Sequence, residues 1–79
     1  MAHTVKIYTT PSCVYCRMTK DFFAANNIHY QELDVARDIE ARNEMISKSG
    51  QFGVPVIEID GKFVIGFDRQ RLAELLGIS

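Results

Sequence analysis

The hydrophobic pattern of this chain switches between short strand-like runs and longer helical repeats. Val5 to Thr9 alternates polar positions with β-branched and aromatic ones, which predicts a first strand. From Val14 to about Asn26, apolar residues recur at steps of three and four, which predicts a helix with one buried stripe. That stripe is expected to consist of Val14, Met18, Phe22 and Ala25.

The next segment repeats the same order of elements. Ile28 to Val35 predicts a second strand, with Tyr30, Leu33 and Val35 as its apolar members. Asp38 to about Ser49 returns to helical spacing and is stopped by Gly50. Because a helix joins them, the first two strands are expected to be parallel and linked by a right-handed crossover.

The last third has a different pattern. Asp60-Gly61 separates two β-rich runs, Val54 to Ile59 and Lys62 to Ile65, and this sequence is typical of a hairpin with a two-residue type I′ turn. Asp68 to Leu76, followed by Gly77, predicts a closing helix. The predicted order is therefore βαβαββα, an α/β fold with a four-stranded mixed sheet and three helices on its two faces.

Size and charge narrow the possible functions. The chain has 79 residues, with nine Lys or Arg against ten Asp or Glu, so its net charge is −1. We expect one small domain over residues 1–79 with a modest core, since a chain of this size buries only about 60% of its unfolded surface. The expected core includes the closing leucines and four phenylalanines, Phe22, Phe23, Phe52 and Phe63.

Several classes of partner are disfavoured by the same composition. The sequence has no basic stripe for nucleic acid and no apolar run near the ~18 residues that span a bilayer. Its N-terminus lacks the charged start and long apolar stretch of a secretory signal, so the cytoplasm is the expected compartment. We expect a monomer.

The two cysteines of the chain lie three positions apart, in Cys13-Val14-Tyr15-Cys16. A structural zinc site needs four ligands, and His3 and His29 belong to no ligand-spaced pair, so no metal site is expected. A structural disulfide over so short a loop would gain almost no stability from loop closure. The spacing instead favours a redox-active dithiol, in which one thiol attacks and the other resolves.

The position of the pair on the predicted helix separates the two roles. Cys13 falls at the helix N-terminus, where unpaired N–H groups and positive partial charge favour a thiolate. It is therefore the expected nucleophile. Cys16 lies one turn on, is expected to be covered, and is the candidate resolving thiol. Arg17 and Lys20 add cationic potential but are expected to be solvated.

The order and spacing of several motifs resemble those of the glutaredoxin family over nearly the whole chain. The resemblance rests on five segments: Val5-Lys-Ile-Tyr-Thr9, Cys13-Val-Tyr-Cys16, Lys48-Ser-Gly-Gln51, Val54-Pro55 and Gly66-Phe67-Asp68. It implies the thioredoxin fold in its smallest version and a dithiol–disulfide oxidoreductase. It also implies glutathione as reductant or substrate, disulfide-containing proteins as substrates, and no tightly bound cofactor.

The resemblance assigns roles to residues around the thiols. Tyr15 matches the family tyrosine beside the thiol, although it also suits a partly exposed helix position. Gln51 matches a position near the glycine carboxylate of glutathione, or is a solvated loop residue. The resemblance implies a cis Val54-Pro55 bond, because the family places a cis-Pro beside the cysteine pair. A cis bond would leave the backbone of Val54 free to pair with glutathione or an extended peptide.

The remaining implied residues precede the closing helix. Asp68 matches the family acid that, with neighbouring backbone N–H groups, holds the γ-glutamyl end of glutathione. It is equally suited to be an N-cap, and the two roles are compatible. Gly66 and Phe67 complete the substrate-binding set.

Departures from the family pattern leave other functions open. Many glutaredoxins have Pro at Val14, Lys at Thr10, Thr at Gly53, and a Gly-Gly pair where this chain has Ile65-Gly66. Gly66-Phe67 is also similar to small redoxins that donate electrons to ribonucleotide reductase and are recharged by a flavin enzyme, thioredoxin reductase. A third alternative is a module in which Cys13 and glutathione bridge an iron–sulfur centre across a dimer.

Overall fold

The computed structural model describes residues 3–78, which form four strands and three helices in the predicted order. The elements are β1 (Val5–Thr9), α1 (Val14–Ala25), β2 (Gln31–Asp34), α2 (Ile39–Ser49), β3 (Val56–Ile59), β4 (Lys62–Ile65) and α3 (Arg69–Leu76). Within residues 3–78 no helix has the length and apolar character needed to cross a bilayer.

The four strands form one mixed sheet in the order β2-β1-β3-β4. β1 lies at its centre, parallel to β2 and antiparallel to β3, so Tyr8 pairs with Leu33 on one side and Val56 on the other. β3 continues antiparallel into β4. The parallel and antiparallel pairings both match the prediction.

The hairpin turn forms because its two residues adopt the left-handed backbone that a type I′ turn requires. Asp60 has φ 51° and Gly61 has φ 86°. Aspartate tolerates this conformation better than most residues, and glycine adopts it without a Cβ penalty. The Asp-Gly signal in the sequence was therefore sufficient to place the turn.

Helices cover both faces of the sheet, as predicted. α1 and α3 pack on one face, where the buried cluster consists of Val5, Ile7, Phe23, Ile57, Ile59, Val64, Leu72 and Leu76. α2 packs on the other, where the cluster is smaller and consists of Tyr8, Val35, Ala41, Met45 and Val56. β1 and β3 contribute to both clusters because alternate side chains of a strand point to opposite faces.

The buried stripe of α1 differs from the predicted one. Val14 is 69% exposed and Met18 is 42% exposed, whereas Cys16, Thr19 and Phe23 are buried. Thr19 is accommodated because its hydroxyl donates a 2.8 Å hydrogen bond to the backbone carbonyl of Tyr15. Val14, Met18 and Ala25 of the predicted stripe therefore face solvent, whereas Phe22 is partly buried. The buried face of α1 instead carries the second cysteine.

Two further expectations are corrected by the structure. The second strand is shorter than predicted, because the backbone N–H of Ile28 donates to the Phe23 carbonyl at 2.8 Å and so closes the end of α1. Phe52 is 73% exposed and is not a core residue, since it lies in the loop between α2 and β3. Ile39, the first residue of α2, is also exposed.

Candidate functional site

The sheet topology brings the three loops that carry the predicted site residues to one edge. Thr9, the last residue of β1, pairs with Asp34 at the end of β2. Val56, the first residue of β3, pairs with Ile65 at the end of β4. The loop carrying Cys13, the segment before β3 and the segment after β4 therefore all begin or end at the same edge of the sheet.

The segments flanking β3 and β4 are joined directly. The Val54–Pro55 peptide bond is cis, which confirms that prediction, and Pro55 is buried. The backbone N–H of Gly66 donates to the carbonyl of Pro55 at 2.9 Å. Among residues 3–78, no backbone hydrogen-bond partner is found for Val54. The structure thus brings Val54, Pro55 and Gly66 together at this edge.

Cys13 is the N-cap residue of α1. Its backbone is extended, and its Sγ accepts a 3.1 Å hydrogen bond from the backbone N–H of Cys16. Its carbonyl accepts from the N–H of Arg17 at 3.2 Å, the first helical bond. The sulfur, which is half-buried, therefore occupies the place usually taken by a Ser or Asp oxygen at the positive end of a helix.

Cys16 lies one helical turn after Cys13 and is almost fully buried, with 1% exposure. Burial raises the pKa of its thiol to about 12, and the hydrogen bond and charge of Cys13 act in the same direction. A backbone hydrogen bond from Thr10 and the charge of Lys20 partly offset this rise in pKa. Cys16 is therefore held as a neutral thiol at physiological pH.

Exposed side chains lie in the two loops that carry Cys13 and Val54. Val14 and Tyr15, which follow Cys13 in the first turn of α1, are 69% and 62% exposed. Gln51 and Phe52 are exposed in the loop that leads to Val54. No hydrogen bond among the described residues joins the Gln51 side chain to the cysteine loop, so its role in binding rests on the family resemblance.

Asp68 caps the N-terminus of α3, as one of its two predicted roles requires. Its Oδ1 accepts a 3.1 Å hydrogen bond from the backbone N–H of Arg71, and its side chain is exposed. Phe67 is half-buried against Phe22, with ring centroids 6.1 Å apart. Gly66 has φ 75°, a left-handed conformation that turns the chain from β4 toward α3.

A network next to Cys16 was not predicted. Lys20 Nζ donates to Glu32 Oε2 at 3.0 Å, and the buried Thr9 hydroxyl donates to the same oxygen at 2.8 Å. The hydrogen bond from Lys20 lowers the pKa of Glu32. The expectation that Lys20 is freely solvated is therefore wrong. Its spacing of four residues from Cys16 was a signal in the sequence, but its partner was set by the tertiary fold.

His3 lies away from this edge, beside the hairpin turn. His3 Nδ1 lies 2.5 Å from Asp60 Oδ2, and its Nε2 lies 3.1 Å from the carbonyl oxygen of Leu76. These contacts connect the segment before β1 to the hairpin turn and to the end of α3. Within residues 3–78, no group of three or more His, Cys, Asp or Glu side chains is arranged to hold a metal ion.

Comparison with known proteins identifies related sequences. A family model described as glutaredoxin matches residues 5–64. A glutaredoxin of Neisseria meningitidis is 42% identical over 78 residues, covering 96% of this chain and 92% of its own length. Glutaredoxin 3 of Escherichia coli K12 is 38% identical over 64 residues, covering 81% of this chain and 77% of its own.

Solved structures with the same fold cover nearly the whole chain. The thioredoxin-like protein BC3987 superposes with a TM-score of 0.87 at 36% identity, covering 91% of this chain and 99% of its own. The glutaredoxin of Archaeoglobus fulgidus gives a TM-score of 0.85 at 25% identity, covering 96% of this chain and 87% of its own. The predicted thioredoxin-like fold is thereby confirmed.

Proposed function

Because this chain belongs to the glutaredoxin family, whose function is thiol–disulfide redox chemistry, we propose that it reduces protein disulfides or glutathione mixed disulfides through Cys13 and Cys16. Cys13 is the proposed nucleophile and Cys16 the proposed resolving thiol. The observation that carries this proposal is the unequal placement of the two sulfurs. One caps a helix and is accessible, whereas the other is 1% exposed one turn away.

The proposed reaction has two thiol–disulfide exchanges. The Cys13 thiolate attacks one sulfur of the substrate disulfide, forms a mixed disulfide, and displaces the other half, which leaves as a thiolate and takes up a proton. Cys16 then loses its proton and attacks the Cys13 sulfur. The second half of the substrate leaves, and Cys13 and Cys16 form a disulfide. Two electrons pass from the dithiol to the substrate.

The proposed glutathione site lies along the edge that carries the cysteines. The backbone of Val54, next to the buried Pro55, is proposed to pair with an extended γ-glutamyl-cysteinyl segment as an added strand. Asp68 and the neighbouring backbone of Gly66 and Phe67 are proposed to hold the γ-glutamyl end. Gln51 is proposed to lie near the glycine carboxylate, and Tyr15 beside the reacting sulfur.

The proposal also assigns a source of electrons. Glutathione is the proposed reductant. The alternative is a flavin enzyme such as thioredoxin reductase, which Thr10 favours because this position is expected to hold a lysine beside a glutathione carboxylate. The test is to oxidise the protein and follow NADPH consumption in two assays. One contains glutathione and glutathione reductase, and the other contains thioredoxin reductase.

Turnover with glutathione supports the proposal. Turnover with thioredoxin reductase alone would show that the flavoenzyme, and not glutathione, reduces the protein. Failure of both, together with no dithiol-dependent reduction of a protein disulfide, would overturn the proposed function as a whole.

A further inference from the structure

The second exchange of the proposed reaction requires a charge to form in a buried place. Cys16 must become a thiolate to attack, yet its sulfur is almost completely removed from water. Burial disfavours the anion. A group that stabilises negative charge at Cys16 would therefore lower the barrier to resolution.

Lys20 occupies the position from which a side chain can do this. It follows Cys16 by four residues on α1, so the two side chains lie on one side of the helix, with Cβ atoms about 5–6 Å apart. Among the described residues, Lys20 is the charged side chain that favours the Cys16 thiolate. Arg17, the other nearby cation, is exposed.

The ammonium group of Lys20 is fixed in place rather than free in solvent. Its Nζ donates to Glu32 Oε2 at 3.0 Å, and only 32% of the Lys20 side chain is exposed. Glu32 is itself anchored by the hydroxyl of Thr9, a residue 2% exposed at the end of β1. Tyr30, just before β2, is the further titratable group that acts on Lys20. These hydrogen bonds thus hold the Lys20 ammonium against the sheet beneath α1.

We propose that Lys20, held against β2 by Glu32 and Thr9, stabilises the thiolate of Cys16 while it resolves the mixed disulfide. This inference rests on the proposed dithiol function. Lys20 touches neither the substrate nor the bond that breaks, and Glu32 and Thr9 act through Lys20 as positioning residues. Lys20 keeps its own proton throughout.

The step balances without any additional reactant. Cys16 releases its proton to water, and its sulfur forms a bond to the Cys13 sulfur as the bond from Cys13 to the substrate sulfur breaks. The departing thiolate takes up a proton from water. Because the ammonium charge stabilises the Cys16 anion, its removal raises the pH at which the attack becomes fast.

Resolution can be timed separately from the first attack with an aromatic disulfide reagent such as dithionitrobenzoate at one equivalent. Attack by Cys13 releases one coloured thiolate, and attack by Cys16 on the resulting mixed disulfide releases a second. Stopped-flow absorbance from neutral to alkaline pH then gives one rate profile for each step. The variants are Lys20→Gln and Lys20→Arg, with Lys48→Gln as the matched control.

The control is suited to the comparison because Lys48 is also a helical lysine bonded to a glutamate, with Nζ 3.3 Å from Glu44 Oε1, but it lies on α2 across the sheet. In Lys20→Gln we expect the rate of the second release to fall about tenfold near neutral pH. The pH dependence of that rate should move about one pH unit toward alkaline pH. Lys20→Arg restores most of the rate, and Lys48→Gln matches the wild type.

Four results would contradict the inference. An unchanged second-release profile in Lys20→Gln overturns it, as does an equal shift in Lys48→Gln. A lower melting temperature in Lys20→Gln with an unmoved profile shows that Lys20 serves stability alone. If the wild type releases no first thiolate, the proposed function fails and this inference fails with it.

Discussion

The backbone N–H of Cys16 donates to the Sγ of Cys13 at 3.1 Å, so the bond that caps α1 also fixes the positions of the two sulfurs. One sulfur is held at the positive end of the helix, and the other is buried in its first turn. The proposed mechanism depends on this unequal placement, which the packing of α1 on the sheet completes by burying Cys16.

Removal of each thiol in turn tests the division of labour. We expect Cys13→Ser to lose both deglutathionylation and protein-disulfide reduction, because no accessible nucleophile remains. Cys16→Ser keeps deglutathionylation, which needs one thiol, and loses protein-disulfide reduction. Both activities are measured with coupled NADPH assays. Equal loss of both in Cys16→Ser would contradict the assigned roles.

The buried thiol of Cys16 also predicts a pH dependence of stability in the reduced protein. Its pKa is raised from 9.0 to about 12 in the fold, first of all by burial. The folded state therefore holds this proton more tightly than the unfolded state. The stabilisation from this thiol is complete below about pH 9 and is lost as the pH rises toward 12.

Reduced wild type should consequently lose more stability than Cys16→Ser over that alkaline range. The measurement is the urea midpoint of each protein, under reducing conditions, as the pH is raised. Tyr8, whose pKa is also raised by burial, is present in both proteins and cancels in the comparison. Parallel curves for the two proteins would show that the Cys16 thiol is not held neutral by the fold.

Asp68 has two proposed tasks that different substitutions separate. Asp68→Ala should cost about 1 kcal/mol of stability through loss of the helix cap, and it should raise the KM for glutathione. Asp68→Asn keeps a capping side chain but removes the charge, so we expect near-normal stability and a raised KM. Thermal melts and steady-state kinetics measure the two effects.

The N-cap of α2 supplies the control for this experiment. Asp38 accepts from the N–H of Ala41 at 3.0 Å in the same capping arrangement, and it is not one of the proposed binding residues. Asp38→Ala should lose about the same stability as Asp68→Ala and leave the KM for glutathione unchanged. A normal KM in Asp68→Asn would limit Asp68 to its capping role.

The two phenylalanines Phe23 and Phe52 should differ sharply in their contribution to stability. Phe23 is fully buried between α1 and the sheet, so Phe23→Ala should cost about 3–5 kcal/mol. Phe52 is 73% exposed, so Phe52→Ala should change stability by no more than about 0.5 kcal/mol. Urea unfolding of the reduced protein measures both values. Comparable losses would place Phe52 in the core after all.

The sequence predicted features that depend on neighbouring residues. The Asp60-Gly61 turn followed from the backbone conformations that these two residues tolerate. The placement of Cys13 at a helix start followed from the change of hydrophobic period after Thr9. The order of elements and the antiparallel hairpin required no long-range information, whereas the strand order β2-β1-β3-β4 was given only by the structure.

Features that depend on distant partners were predicted less well. The helical period marked α1 but misplaced its buried face, because Thr19 is polar and a buried hydroxyl is tolerated only where a carbonyl accepts from it. Phe52 was assigned to the core from its apolar character, although its loop leaves the ring exposed. The ion pair of Lys20 and Glu32 joins residues 12 apart in sequence.

For the pair Cys13 and Cys16, the sequence alone determined the spacing, the helix-start position and the expectation of redox chemistry. Spacing and helix starts are local properties that neighbouring residues define. The tertiary structure decided that Cys16 is buried at 1% exposure and that Lys20 is anchored to β2 beside it. Burial and ion pairing depend on which surfaces pack together, and packing is established by the fold as a whole.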